Sequence, residues 1–440
     1  NGTTTSYGAS WTTNDVIGIA LDIDNTTVTF YKNGTSQGSA STALASDAPL
    51  TFAGGMISSS ETGSWNFGAR SFAHTAPSGF KALNTASLPT PTVADGSDYF
   101  DIKLYTGNSS TQSITGLEFS PDLIWLKERN GTRYHALCDS VRGDGKLLYT
   151  NTASFGEQDI GSSVVSLTDD GFDLGFNASY SAVSHNHDTK THVAWAWNAG
   201  GSSVTNTDGS INSTVRANQT AGFSIVSVTA DAHADGSTVG HGLGAKPLMI
   251  IEKRRDAASP WYIQHSSLGD MTGSYLAFST GGKATDNTWN LAEPTSTVMS
   301  IDPGYLNADT DADVIYYCFA PVEGYCSIGK YVGNGSASGP MVYTGFRPRW
   351  IMVKGLMTSN WMIVDTTRAT YNSISKKLYP NQTHVENGDT SETDTTNLFD
   401  HLSNGFKLRS ANTYTNQSST TYVYLALAEH PFQANGGLAR

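Results

Sequence analysis

Apolar and polar residues alternate with a period of two through most of the 440-residue chain, in short runs bounded by Gly, Asn, Asp and Pro. This is the period of β-strands, whose successive side chains point to opposite faces. No segment sustains apolar residues at i, i+3, i+4 and i+7 behind a capping residue, as an amphipathic helix would. The pattern therefore predicts an all-β protein built from many short strands and turns.

One sequence pattern, typical of a strand, occurs three times. In each copy a proline is followed by an apolar run that closes on a lysine, at Pro121 to Lys127, Pro247 to Lys253 and Pro348 to Lys354. An aromatic-led strand, a Gly-aromatic pair and an alternating final strand then recur in the same order. The spacing of the copies, about 100 to 130 residues, suits small domains rather than solenoid coils. We expect three tandem β-sandwich domains.

Composition excludes some functions. The net charge is −13 and the charged fraction 15%, whereas a nucleic-acid surface requires clustered Lys and Arg. No apolar run approaches the roughly 20 residues that cross a bilayer as a helix. We therefore expect no nucleic-acid partner and no membrane insertion. Cys138, Cys318 and Cys326 are too few for a disulfide framework; we favour small buried side chains over a Cys318–Cys326 pair, which fits assembly in a reducing cytoplasm.

The N-terminal segment carries a different pattern. Between Asp15 and Gly38 two strands flank an Asp24-Asn25 turn, and an Asn33-Gly34 turn follows, which is a strong hairpin signal. About residues 1 to 70 resemble the SPRY domain, a concanavalin-like β-sandwich, which implies recognition rather than catalysis. A full SPRY domain has further strands before Asn1, so we expect a truncated sandwich and a fragment of a longer polypeptide.

These patterns predict five segments. They are a partial SPRY-like β-sandwich at 1–75, a Pro-rich linker at 76–97, β-module repeat 1 at 98–200, the divergent repeat 2 at 201–323, and repeat 3 at 324–440.

The repeats themselves resemble modules of bacteriophage structural proteins, especially tail fibres and related virion proteins. Copy one carries the resemblance best, in YTGNSSTQSITGLEFSPDLIWLKERN, CDSVRG, DDGFDLG and THVAWAWNAGG. It implies a virion component, assembled in the bacterial host cytoplasm, whose partners are other virion proteins and a host-surface glycan or protein. It also implies a homo-oligomer, with a trimer favoured, and no cofactor.

Two polar constellations carry candidate chemistry. His185 and His187 would face the same side of a strand and are the metal candidates, by likeness to His-x-His iron sites of some phage fibres; an exposed polar loop is the favoured alternative. Asp139 with Arg142, and Asp365 with Arg368, recur at one strand end in copies one and three.

Copy two has His265 and Leu268 at the places of that pair. A structural salt bridge or a turn cap therefore explains the pair better than catalysis does. We expect the repeated lysines to keep their charged heads in water while their stems cover the sheet edge, or to discourage edge pairing.

Aromatic residues are the candidates for ligand stacking, because sugar rings pack on Trp and Tyr. Trp195 and Trp197 share one face of the last strand of copy one, where core packing is favoured over ligand contact. Trp289 lies in a polar segment and is the preferred single candidate.

Enzyme motifs such as a phosphate-binding glycine loop, a metalloprotease helix or a nucleophile elbow are absent from the sequence. We expect a non-enzymatic virion protein, most simply a tail fibre that attaches to host-surface glycans. The alternatives are a polysaccharide depolymerase, with copy two as the place to look for a carboxylate pair, and a bacterial surface adhesin.

Overall fold

The computed structural model describes residues 7–41, 62–84, 87, 91–177, 185–230, 236–286, 291–301, 312–388 and 398–431. Strands account for 43% of the chain and helices for 3%, so the all-β prediction is confirmed. The chain divides into two compact units, Asn1–Pro89 and Thr90–Arg440. None of the helices in the described ranges is long and apolar enough to cross a bilayer.

In its described residues, the first unit contains one antiparallel sheet. Its strands follow chain order: β1 (Ile17–Asp22), β2 (Thr27–Lys32) and β3 (Thr35–Ser41). Asn33 and Gly34 join β2 to β3 with φ values of 50° and 81°, the left-handed conformation that a tight hairpin turn requires. The Asn33 side chain also accepts a hydrogen bond from the Val16 backbone at 2.8 Å, so the turn holds the start of β1.

The second unit contains three large antiparallel sheets, one from each repeat, which we call modules 1, 2 and 3. The strands of module 1 are β4 (Phe100–Thr106), β5 (Gln112–Ile114), β6 (Leu123–Glu128), β7 (Ala136–Asp139), β8 (Lys146–Tyr149), β9 (Gln158–Asp159), β10 (Val165–Thr168), β11 (Gly171–Leu174) and β12 (Thr191–Trp197). The strands of module 2 are β13 (Val204–Asn206), β14 (Ser213–Asn218), β15 (Phe223–Ala230), β16 (Thr238–Gly240), β17 (Met249–Arg254), β18 (Trp261–His265), β19 (Ser274–Ala277), β20 (Ala284–Thr285), β21 (Val298–Ser300) and β22 (Ala312–Phe319).

The strands of module 3 are β23 (Cys326–Val332), β24 (Met341–Tyr343), β25 (Phe346–Gly355), β26 (Met362–Asp365), β27 (Lys377–Leu378), β28 (Phe399–Leu402), β29 (Gly405–Leu408) and β30 (Thr421–Pro431). Single turns of helix lie at Gly96–Asp98, Ser266–Leu268 and α1 (Thr413–Asn416).

The three large sheets share one arrangement. Five strands follow the same order in each: β4-β12-β6-β7-β8, β15-β22-β17-β18-β19 and β23-β30-β25-β26-β27. The register agrees as well, because the three repeated lysines lie opposite Val193, Ile315 and Val423 in the final strands. A residue of one module therefore has a definite equivalent in the other two.

The inner faces of the three sheets pack into one shared hydrophobic core. Trp197 of module 1 shows this most directly. Its ring centroid lies 4.9 Å from that of Phe100 in its own module, 6.4 Å from that of Phe223 in module 2, and 5.8 Å from that of Trp350 in module 3. The sequence predicts three domains in tandem and does not predict this common core; the domain boundaries given above stay a prediction.

The outer faces pack against smaller sheets. In module 1 the sheet β10-β11-β5 covers a second cluster that includes Ile124, Leu126 and Phe172. In module 2 the pair β16-β21 contributes Val239 and Met299 to a third cluster. Module 3 has the sheet β24-β29-β28. Each module is thus a sandwich whose larger sheet is also part of the shared core.

Replacing Trp197 by alanine should lower the free energy of unfolding by about 3–5 kcal/mol, because a buried tryptophan leaves a cavity that its surroundings fill only in part. Since its neighbours belong to all three modules, we expect one shifted transition for the whole second unit in chemical denaturation. Tyr371→Ala is the control, since Tyr371 is 85% exposed. A Trp197→Ala protein in which one module melts early and the others melt as before would contradict the shared core.

Candidate functional site

The recurring Asp and Arg residues form fully buried ion pairs. The Arg142 Nε lies 2.5 Å from the Asp139 Oδ2, and the Arg368 Nε lies 2.5 Å from the Asp365 Oδ2. The other oxygen of each carboxylate caps the turn, since it accepts a hydrogen bond from the backbone N–H of Arg142 at 2.9 Å and of Arg368 at 2.8 Å. The structure thus shows both the salt bridge and the turn cap that the sequence suggested.

Each pair extends across a module boundary. The Arg142 Nη1 lies 3.4 Å from the Glu157 Oε2, which lies 2.9 Å from the Nε of Arg255 in module 2. The backbone N–H of Glu157 also donates to the Arg255 carbonyl at 2.6 Å. Asp139, Arg142, Glu157 and Arg255 therefore form an alternating charge chain from module 1 into module 2.

The same charge chain joins module 3 to module 1. The Arg368 Nη1 lies 3.3 Å from the Glu386 Oε1, and the Glu386 Oε2 lies 2.9 Å from the Arg129 Nη2. The Glu386 N–H donates to the Arg129 carbonyl at 2.7 Å. Although burial acts to raise the pKa of Glu386, the hydrogen bonds from Arg129 and the charge of Arg368 hold it below its ordinary value.

The junction between modules 2 and 3 keeps the backbone contact and loses the ion pairs. His265, Leu268, Lys283 and Leu356 stand at the four equivalent places. The Lys283 N–H still donates to the Leu356 carbonyl at 2.9 Å, and the Lys283 Nζ donates to the Leu268 carbonyl at 2.6 Å. All four members of the chain are replaced together, so the four positions behave as one unit.

The final strands close the modules into a ring. The Tyr317 hydroxyl of module 2 donates to the Asp139 Oδ2 of module 1 at 2.7 Å. The equivalent Trp195 of module 1 donates through its Nε1 to the Asp365 Oδ2 of module 3 at 3.1 Å. The His265 Nε2 of module 2 lies 3.3 Å from the Tyr424 carbonyl of module 3. Modules 1, 2 and 3 thus contact one another in cyclic order.

Sequence reasoning found the first two residues of each charge chain and missed Glu157, Arg255, Glu386 and Arg129. Their partners lie in other modules, so local spacing gives no signal. The available signal was the joint change at one junction, where Lys283 of copy two and Leu356 of copy three accompany the loss of Asp and Arg from copy two.

Trp195 and Trp197 are buried in the shared core, so the hypothesis that they stack on a ligand is wrong. Trp195 instead donates to Asp365 and lies beneath the Arg368 guanidinium, whose carbon is 5.4 Å from the ring centroid. Trp289 lies outside the described residues.

The repeated lysines are buried, so the expectation that their heads lie in water is wrong. Lys127 and Lys354 are 0% exposed and Lys253 is 1% exposed. Each ammonium donates to carbonyls of the loop after its strand, including those of Gly131 at 3.0 Å, Ser259 at 2.7 Å and Ser359 at 2.7 Å. The lysines therefore supply hydrogen-bond donors to loop carbonyls that have no backbone N–H partner in a strand, and this holds the loops in place.

The two candidate metal-binding histidines lie before the last strand of module 1 and differ in burial. Strand β12 begins at Thr191, so the two-residue period of a strand does not apply to His185 and His187. His185 is buried, whereas His187 is half-buried and meets the Phe176 ring edge-on at 4.9 Å. Among the residues that the structure describes, no group of three or more His, Cys, Asp or Glu side chains is placed to hold a metal ion.

Asn186, between the two histidines, has a clear structural role. Its Oδ1 accepts from the Asn108 N–H at 3.1 Å and its Nδ2 donates to the Gly175 carbonyl at 3.4 Å. In module 3 the equivalent Asn416 accepts from the Asn334 N–H at 2.8 Å. The histidines therefore flank an asparagine that holds the Tyr-x-Gly-Asn loop in both modules.

All three cysteines are free and buried, and burial raises the pKa of each thiol to about 12. The Cys318–Cys326 pair is not formed. These side chains act as small apolar residues, as the sequence favoured.

Comparison with protein families identifies two regions. Residues 1–70 match the SPRY domain, in agreement with the resemblance of the N-terminal hairpins. Residues 95–431 match a domain of unknown function, DUF7483. The chain belongs to the DUF7483 family. The DUF7483 region contains all three modules, so the family unit is the closed ring rather than a single repeat. No curated protein and no solved structure matches the chain.

Replacing Arg142 by methionine should destabilise the DUF7483 region by about 3–5 kcal/mol, because it leaves the Asp139 carboxylate buried without its partner. The combined change Asp139→His, Arg142→Leu, Glu157→Lys and Arg255→Leu copies the junction of modules 2 and 3. We expect it to destabilise by less than the sum of the four single changes, measured by urea denaturation of each variant. Strict additivity would show that the charge chain is not one unit.

The stability of the DUF7483 region should increase with pH. Among the described residues, burial lowers the pKa of six histidines, namely His135, His185, His192, His241, His265 and His401. Since the unfolded chain binds protons that the folded chain does not, stability falls as the pH drops below about 6.5. Asp122, whose pKa burial raises to about 6, opposes this trend in part.

The lysines act in the same direction at higher pH. Burial lowers the pKa of Lys127 and Lys354 to about 7 and of Lys253 to about 8. Between these values and the ordinary pKa of about 10.4 the unfolded chain again binds more protons. We expect the Tm, measured by calorimetry at constant ionic strength, to rise from about pH 5 to about pH 8.

His192→Tyr tests the histidine contribution with a residue that the fold already accepts. Module 3 has Tyr422 at this position, stacked on Tyr331 at 5.1 Å as His192 stacks on Tyr105 at 4.8 Å. The variant should show a shallower dependence of Tm on pH below about pH 6.5. An unchanged slope would show that His192 does not contribute to the pH dependence of stability.

Proposed function

We propose that this DUF7483 protein is a non-enzymatic structural component of a bacteriophage virion, most simply a tail fibre or related appendage. In this proposal it assembles with other virion proteins and displays β-modules that attach to a host-surface glycan or protein. The resemblance of copy one to phage structural proteins is its starting point. The SPRY match at residues 1–70 adds a second domain of a type used for recognition.

The cyclic closure of the modules is the observation that supports the proposal best. Asp139 and Arg142 form an ion pair that continues through Glu157 to Arg255 of the next module, and the repeated lysines donate to loop carbonyls. The side chains that first suggested catalytic chemistry therefore have structural roles. A glycosidase needs two carboxylates that face a substrate, whereas Asp139, Glu157, Asp365 and Glu386 all face arginines.

A ring of three modules suits attachment. Weak contacts made by several modules, or by several chains of an oligomer, act at high effective concentration and add up to firm binding. The outer loops differ among the three copies, while the inner strands keep their pattern. Recognition by the loops would therefore vary without disturbing the scaffold.

Immunogold electron microscopy of purified phage particles with an antibody to the chain tests the location. We expect label on an appendage, and light scattering of the full chain should give an oligomer, with a trimer favoured. Label on a bacterial surface in uninfected cells would instead support the adhesin alternative.

Incubation of the full chain with host capsule or lipopolysaccharide tests the activity. We expect retention on the polysaccharide without release of reducing ends. Trp289→Ala should weaken retention if this residue stacks on the glycan. Release of reducing ends that a single carboxylate substitution abolishes would replace the proposal with a depolymerase.

A further inference from the structure

Two side-chain contacts, at equivalent places, cross each junction of the ring. At the junction of modules 1 and 2, the Trp261 Nε1 donates to the Tyr149 carbonyl at 2.7 Å, and the Tyr317 hydroxyl donates to the Asp139 Oδ2 at 2.7 Å. The first contact starts from the residue opposite the repeated lysine, here Lys253, and the second ends at the aspartate of the charge chain. A histidine stands at neither place in this junction.

At the junction of modules 2 and 3, a histidine takes the place of the aspartate. The tryptophan contact is kept, because the Trp361 Nε1 donates to the Ala277 carbonyl at 2.7 Å. His265 is buried, and its Nδ1 accepts from the Ser267 N–H at 3.0 Å. The ring proton is therefore on Nε2, which lies 3.3 Å from the Tyr424 carbonyl of module 3.

At the junction of modules 3 and 1, a histidine takes the place of the tryptophan. His135 is fully buried, and its Nδ1 accepts from the Trp125 Nε1 at 3.1 Å, so its proton is also on Nε2. The backbone of Tyr379 in module 3 interacts with the ring across the junction. The aspartate contact is kept, because Trp195 donates to Asp365. Module 3 therefore meets a buried histidine at both of its junctions.

A second proton on either ring is unfavourable while the junctions are closed. It would occupy Nδ1, and the Ser267 N–H or the Trp125 N–H would lose its acceptor. It would also place a cation in a buried site. Burial lowers the pKa of His265 to about 4, and the Tyr424 carbonyl offsets this only in part.

The charged groups near the two rings are cations. Burial lowers the pKa of His135 well below its ordinary value, and Lys127, His185 and Arg368 lower it further. At the junction of modules 2 and 3, the charged residue among the four charge-chain positions is Lys283. Both histidines are therefore easier to protonate once module 3 has moved away.

Two carboxylates place the acid response at module 3. Glu386 joins module 3 to Arg129, and its pKa lies below the ordinary value, so this contact weakens as the pH falls. Asp122 of module 1 accepts from Arg216 of module 2 at 2.7 Å, and burial raises its pKa to about 6. The closed junction of modules 1 and 2 therefore binds a proton more readily than an open one, so acid does not open it through Asp122.

We propose that acid releases module 3 from the ring while modules 1 and 2 stay joined. Above about pH 6.5 both histidines are neutral and both junctions of module 3 are closed. As the pH falls from about 6.5 toward 4, the open form binds protons that the closed form does not, so opening becomes more favourable. Residues 320–325 connect β22 to β23 and keep the released module attached to the chain.

His265 alone sets the smallest response to expect. With a pKa of about 4 in the closed form and 6.5 in the open form, opening is about 30-fold more favourable at pH 5.0 than at pH 7.5. His135 adds to this change in the same direction. Amide hydrogen exchange measures local opening of this kind.

Hydrogen exchange of the full chain at pH 7.5 and pH 5.0 tests the release, with amides resolved by mass spectrometry after electron-transfer fragmentation and corrected for intrinsic rates. The reporters are backbone N–H groups that donate across the junctions: Lys283 and Ser359 between modules 2 and 3, Glu386 between modules 3 and 1, and Glu157 between modules 1 and 2. We expect the protection of the first three to fall about 30-fold or more at pH 5.0, and that of Glu157 to change less than about threefold.

Replacing both histidines by glutamine removes the titrating groups and keeps a side-chain N–H donor at each place. In the folded protein with His135→Gln and His265→Gln, the reporters of module 3 should keep most of their protection at pH 5.0. Each single variant should show an intermediate response. His192→Tyr is the matched control, because His192 is a buried histidine that stacks on Tyr105 within module 1. It should leave the response of module 3 unchanged.

The parent protein alone decides where the ring opens, so a double variant that fails to fold does not prevent a decision. Equal loss of protection at all three junctions, a larger loss at Glu157, or no loss in module 3 would overturn the proposal. An unchanged acid response in a folded double variant would overturn it as well.

Discussion

The burial of three inner sheet faces in one core is the constraint on which the rest of the DUF7483 region depends. A single module has an aromatic inner face that its own small sheet does not cover, because that small sheet packs on the opposite side. Trp197, with neighbours in all three modules, shows that this face becomes dry only when the ring closes. The junctions between modules are therefore part of the fold rather than additions to it.

Closing the core places charged groups where water is excluded, and the structure satisfies them in two ways. Asp139 and Arg142 neutralise each other, and the charge chain that they begin extends through Glu157 to Arg255 of the next module. Lys127 instead donates hydrogen bonds to the loop carbonyls of Gly131 and Thr383. Buried ion pairs add little net stability, because removing both charges from water costs free energy. Their role here is to set the register in which two modules meet. A charge chain forms only when two modules meet in the correct register, whereas apolar packing alone tolerates small displacements.

The sequence was sufficient to predict the secondary-structure elements but not to predict how they assemble. Period-two alternation indicated the strands, and Asn33-Gly34 indicated a tight turn, because both signals depend on neighbours in the chain. Lysine burial was not predictable in the same way. A lysine at the end of an apolar run looks the same whether solvent or another module lies beyond it. Glu386 and Arg129 are far apart in sequence, so only the folded ring brings them together.

Covalent linkage of the three modules has a consequence for their divergence. A homotrimer with this architecture would repeat every substitution three times, so a carboxylate introduced into an apolar face would weaken all three subunits at once. In a single chain two copies can keep the apolar packing while the third departs from it. Three of the four changed positions of the charge chain, His265, Leu268 and Lys283, fall in the same copy as the cross-strand pair Glu252 and Tyr262. The other two copies stabilise the ring, so the outer face of the module 2 sheet can accept substitutions that the whole ring could not.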